Sequence, residues 1–316
     1  MGIDFATPNG QPLRNPTTCG PIVKIGNCLP LLCLPFLLLG NSFAADDEAM
    51  PNRAQPSPKL TTDNNLQLFY QNLGQTDQIR WLEGPSGKFL ALYKEQRTAS
   101  PQGAALIVHD HGQTPDWPVI LQEAREFLPD TGWSTLSISV PNQLNTPVPD
   151  RQWPPVPSPG SSEQDVSTQV MERIDTGLRE LNSIGMFNIA FIGIGTGGAW
   201  ITQYMAEQLQ AENNAGFALI IVDTKLPANN PPVDVSTNLA ALTVPILDLH
   251  FGRNDHEKFL ARERKAAVLR KQREQYTQIV EVPPNIRFAQ GPSRITRRVW
   301  GWLKINAAGR EVDVKD

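Results

Sequence analysis

Residues 193–198 read Gly-Ile-Gly-Thr-Gly-Gly. They follow an apolar run, Asn188 to Ile192, and precede a helix-forming stretch from Ala199 onward. A tight strand–turn–helix of this kind raises the side chain at its apex above the sheet. Glycines two before and two after the apex let strand and helix approach closely. A serine at the apex would be a nucleophile. Here the apex is Gly195, which has nothing to attack with. A general base is equally hard to place. The four histidines are His109, His111, His250 and His256, and none lies in the last sixty residues.

Other chemistry fits these residues less well. Thr196 carries a hydroxyl one position off the apex, with no base beside it in the sequence. Gly193, Gly195 and Gly198 have the Gly-x-Gly-x-x-Gly spacing that cradles a dinucleotide phosphate. That loop belongs after the first strand of its βαβ unit, with an acid about 20 residues on. This turn follows several strands, and only Asp223 could supply the acid, so no cofactor is expected. His109 and His111 stand two apart and could face one metal ion from a strand. No third ligand accompanies them, and no metal is expected.

The surrounding pattern is α/β. Residues 79–82 and 88–93 predict two strands joined at Gly84-Pro85-Ser86-Gly87, an antiparallel hairpin. Strands follow at 104–109, 134–140, 188–193, 217–223, 245–251 and 277–282, with helices between them. Val166, Val170, Ile174, Leu178 and Leu181 form one helical stripe. Continuous apolar strands such as Ala104–Val108 suit a mostly parallel sheet buried on both faces. The expected architecture is thus a mostly parallel central sheet with an N-terminal antiparallel hairpin and helices on both faces. A proline-rich segment over 141–160 replaces an ordinary crossover and reads as a lid-like insertion.

The ends differ from the middle. Arg14 and Lys24 precede an apolar run of 12 residues, Cys28 to Leu39, where a bilayer helix needs roughly 20. Small residues follow through Ala44 and Ala45. Residues 1–44 therefore read as a signal peptide cleaved near Ala44, with export to the periplasm and no membrane span afterwards. Residues 45–64 read as a flexible N-terminus, 65–305 as the folded domain, and 306–316 as a tail. All three cysteines (Cys19, Cys28, Cys33) precede the cut, which excludes disulfides and thiolate chemistry from the mature chain. Residues 253–310 hold fourteen Lys and Arg against five Asp and Glu, within a chain of net charge −4. Arg262, Lys265, Arg294, Arg297 and Arg298 could meet an anionic partner, or form an ordinary solvated face. Nucleic acid is not expected of an exported protein.

Taken together, these elements and motifs resemble the α/β-hydrolase fold over about residues 65–305. More narrowly they resemble a bacterial family of exported α/β-hydrolase-like proteins of unknown function. The resemblance makes Gly193-Ile194-Gly195-Thr196-Gly197 the nucleophile turn. It makes His111-Gly112 the start of the oxyanion loop, and Asp255 the triad acid. His111 could instead only cap its strand, and Asp255 only its helix. Where the family's histidine would stand, this chain has Gln290 or its neighbours, which cannot relay a proton. Loss of nucleophile and base together implies a non-catalytic protein that binds a small ligand or an envelope protein, in a pocket enlarged above Gly195. The alternatives are an active esterase- or peptidase-like hydrolase with a nucleophile displaced into 158–162, and an envelope interaction protein using its basic C-terminal face.

Overall fold

Eight strands lie side by side in the order β1-β2-β4-β3-β5-β6-β7-β8. The computed structural model describes residues 62–141, 166–209, 216–227, 232–272, 274–284 and 291–308. β1 (Ile79–Gly84) and β2 (Gly87–Lys94) form the antiparallel hairpin at one edge. β2 then pairs antiparallel with β4 (Trp133–Ile138). From there every pairing is parallel, through β3 (Gly103–Val108), β5 (Ile189–Ile194), β6 (Phe217–Val222), β7 (Ile246–His250) and β8 (Tyr276–Val280). The strand expectations hold within a residue or two. β3, β5 and β6 are continuous apolar runs because both sheet faces are covered.

The helices divide between the two faces. α3 (Val166–Ser183), α4 (Thr196–Gln208), α5 (Val235–Ala241) and α6 (Asp255–Arg270) pack one core with Leu106, Phe191, Leu219 and Ile221. α2 (Ile120–Phe127) and α7 (Arg294–Asn306) cover the other face, over Ile107, Ile192 and Ile220. The α3 stripe points inward as its spacing predicts, with Val170, Ile174, Leu178 and Leu181 buried.

Two helices were not foreseen. α1 (Thr62–Asn72) buries only Tyr70 of its eleven residues, so its sequence carries no clear stripe. α5 has seven residues and is fixed by its cap, since the Asp234 carboxylate accepts the Thr237 N–H at 3.0 Å. The expected signal peptide, nearly all of the proline-rich segment, Gln290 and the last eight residues lie outside the described residues.

Candidate functional site

The turn between β5 and α4 is built by close approach. A Cβ at Gly193 would strike Gly198, and one at Gly197 would strike the backbone oxygen of Val108. Gly195 itself stands at φ +56°, ψ −122° as the N-cap of α4. That conformation is costly for any residue with a Cβ. Its N–H donates to Val222 O at 2.9 Å, and its carbonyl accepts from the Gly198 and Lys225 N–H groups, both at 3.1 Å. The turn geometry is therefore intact although nothing projects from its apex.

The space above the apex is occupied. β3 ends at Val108, and the chain turns through His109 and Asp110 back over the turn. The Asp110 carboxylate sits where a side chain at 195 would begin, so that a Cβ there would overlap it. One Asp110 oxygen, Oδ1, accepts the N–H of His111 at 2.8 Å and the N–H of Thr196 at 2.8 Å. The other, Oδ2, accepts from Lys225 Nζ at 2.5 Å. The side chain of Asp110 is 8% exposed and that of Lys225 50%. Burial works to raise the Asp110 pKa. The Lys225 ammonium, the Thr196 N–H and the His111 N–H outweigh it and hold the carboxyl below its ordinary value.

The two backbone donors have a chemical meaning. In a hydrolase of this turn type, the oxyanion hole combines the N–H of the residue after the nucleophile with an N–H from the loop after β3. Thr196 N–H and His111 N–H stand at the corresponding places in this fold. Such donors stabilise negative charge as it develops on a carbonyl oxygen. Here a permanent carboxylate from the same chain takes both. The expected enlargement of the pocket above Gly195 is thus corrected: the volume vacated by the apex side chain is filled by Asp110.

His109 could be mistaken for a base. It is 2% exposed. Its Nε2 accepts the Val140 N–H at 3.0 Å, so the proton is on Nδ1, which reaches Asp110 O at 2.8 Å. Burial pushes its pKa down to about 4, against the smaller opposing effects of the Asp110 carbonyl and nearby carboxylates. Neutral and with both nitrogens committed to backbone, His109 ties the end of β3 to the end of β4. It is placed to hold Asp110, not to move protons.

The remaining expected positions fall as follows. Gly112 lies at φ +76° in the loop after β3. The His111 imidazole makes no hydrogen bond with described residues, while its N–H serves Asp110 and also Thr196 Oγ1 at 2.8 Å. Thr196 is 8% exposed, and its hydroxyl oxygen accepts that N–H. Asp255 opens α6 with its side chain 99% exposed and only Lys258 nearby, at 3.4 Å. It stands in solvent, and the α6 cap is Asn254, which accepts the Glu257 N–H at 2.9 Å.

A second charged group lies at the ends of β6 and β7. Arg253 joins the Asp223 carboxylate at 2.7 and 2.8 Å to Glu257 at 3.0 Å. Sequence reasoning missed Asp110 and Lys225 as site residues. Asp110 stands between His109 and His111 in the sequence, but only the fold places it over a glycine 85 positions away. Among the described residues no three His, Cys, Asp or Glu side chains are grouped to hold a metal ion, and no helix is long and apolar enough to cross a membrane.

Strand order, the β5–α4 turn and the donor pair together define an α/β-hydrolase-like protein. Solved structures agree on the fold. An esterase from Pyrococcus furiosus, Pf2001, superposes with a TM-score of 0.52 at 13% identity, covering 73% of this chain and 91% of its own. The esterase Est1E from Butyrivibrio proteoclasticus gives 0.50 at 10% identity, covering 72% and 98%. Within that class, the chain belongs to the DUF3530 family, a protein family of unknown function, matched over residues 28–305. No curated protein matches the chain.

Proposed function

We propose that this chain is an exported, periplasmic α/β-hydrolase-like pseudoenzyme that works by binding. The observation that supports the reading is the Asp110 carboxylate on the two backbone donors an acyl-transfer transition state would need. Gly195 supplies no nucleophile, and Asp110 is a poor replacement for one. Both its oxygens are engaged, and a substrate carbonyl would have to displace Oδ1 from the donors that activate it. The paired loss of apex hydroxyl and proton relay turns the frame from turnover to recognition, of a small ligand or an envelope protein.

The test is a broad ester panel with a fluorophosphonate probe on the mature chain. Covalent labelling requires an activated hydroxyl. The expected result is no labelling and no turnover above background. The likeness to esterases supports the second reading, an active hydrolase with a displaced serine. Labelling that survives Thr196→Ala and disappears when Ser158, Ser161 and Ser162 are replaced would establish that reading and end the first. Export is tested by N-terminal sequencing of the secreted chain, expected to start near Ala45.

A further inference from the structure

The basic C-terminal region divides once its contacts are known. Arg264 is buried against Asp248, at 2.7 and 3.0 Å. Arg294 and Arg298 both pair with the fully buried Glu281, the former through Nε at 2.8 Å. These three cations serve the fold. The outer face of α6 is different. With its C-cap it exposes five cations, Lys258, Arg262, Lys265, Arg270 and Lys271, against two exposed carboxylates, Glu263 and Asp255, the latter beside Lys258. Among the described residues, Arg262, Lys265, Arg270 and Lys271 meet no carboxylate at ion-pair distance.

Apolar residues stand among those cations. Phe259 is 51% exposed and Leu269 58%. With Arg262 and Ala266 they recur at three- and four-residue steps, which makes one outward crest of the helix. The neighbouring edge strand β8 adds Val280, also exposed. Tyr276 and Gln278 reach Asp248 and Ala261 beneath α6, so the two-residue period puts Val280 on that same sheet face. Phe259, Leu269 and Val280 are thus exposed on the α6 side of the sheet, set among the cations.

We propose that the α6 crest is a docking surface for an anionic lipid bilayer. Exposed cations attract the headgroups, and Phe259 and Leu269 enter the boundary below them. The crest is convex, and its apolar groups sit on separate turns. A planar, deformable surface lets each side chain settle separately, whereas an acidic protein would need a matching concavity. The surface lies on the helix layer opposite α7, so the protein would meet the membrane through one face only. This inference does not depend on whether the Gly195 site is catalytic.

The experiment is co-sedimentation of the mature chain with vesicles of phosphatidylglycerol and phosphatidylethanolamine, and with vesicles of phosphatidylcholine alone. The expected result is binding to the anionic vesicles only, weakening as salt screens the charges. Neutralising two cations with Lys265→Gln and Arg270→Gln lowers the partition coefficient by about 25-fold. Phe259→Ser with Leu269→Ser lowers it about tenfold or more, with the circular dichroism spectrum unchanged. The charge-matched control Arg297→Gln with Lys304→Gln, on α7, leaves it within about twofold. Equal binding to phosphatidylcholine, equal loss in the control, or retention in both α6 variants would overturn the proposal. So would no vesicle binding, including the case where an acidic protein alone is captured.

Discussion

Two buried carboxylates show what separates structural pairing from site chemistry. Asp248, on β7, is fully buried and accepts from Arg264, from Tyr276 Oη at 2.7 Å and from Gln278 Nε2 at 3.0 Å. All its donors are side chains of α6 and β8, so the group fastens a helix to an edge strand. Asp110 accepts mainly from backbone N–H groups, and those are the ones the α/β-hydrolase turn presents for chemistry. A side-chain network can be built wherever partners happen to pack. A pair of converging backbone donors exists only because the turn is preserved, and in this chain it is turned inward on its own acid.

The contrast can be broken by removing each acid or its support. Asp248→Ala should have the largest effect, since it strands Arg264 in the interior. The expected loss is about 3–5 kcal/mol in urea unfolding, and a loss below about 1 kcal/mol would show that Arg264 escapes to solvent. Next comes His109. Its folded pKa of about 4 lies below an unfolded value near 6.5. The unfolded chain therefore binds the extra proton first as pH falls, and stability drops between about pH 6.5 and 4. Over that span the fall attributable to His109 is roughly 3 kcal/mol. His109→Gln should flatten that part of the stability curve; an unchanged slope would show that the imidazole titrates freely.

A third prediction joins the apex to its occupant. Gly195→Ala should destabilise through overlap with Asp110 and through the positive φ, by roughly 2–4 kcal/mol together. In an Asp110→Gly background only the backbone strain remains. The two changes should therefore be non-additive by about 1–3 kcal/mol in a double-mutant cycle. Simple additivity would place the carboxylate elsewhere. The smallest expected effect is that of Asp110→Asn, a loss of about 1–2 kcal/mol at neutral pH as a charge-assisted acceptor becomes a neutral one. The Asp110 pKa is depressed, so its contribution is present above about pH 4 and fades as pH falls below it. The asparagine variant should lack that acid-side loss.

These comparisons also show what a linear reading can reach. The fold was legible because strand runs, the α3 stripe and the glycines at 193, 195, 197 and 198 are local signals. The absence of an apex hydroxyl was legible for the same reason. The filling of the apex was not, because Asp110, Thr196 and Lys225 meet only after β3, β5 and β6 are aligned. The ion pairs inside the basic end were not legible for a similar cause. Arg264 follows its partner Asp248 by 16 positions and Arg298 follows Glu281 by 17, and each pair closes across a helix and a strand. Charge counted along the chain could not distinguish those cations from Lys265 or Arg270. α1 and α5 escaped notice because one buries a single side chain and the other is too short to show a period.

The amide signals of His111 and Thr196 in ¹⁵N-labelled protein offer the most direct measurement. Both protons should lie well downfield at neutral pH and move upfield together in acid, with one midpoint below the ordinary aspartate value near 3.9, and the coupled shift should vanish in Asp110→Asn. Two amides at ordinary positions that ignore pH and the substitution would mean that the donors are vacant, and the account of a hole closed by its own carboxylate would fail.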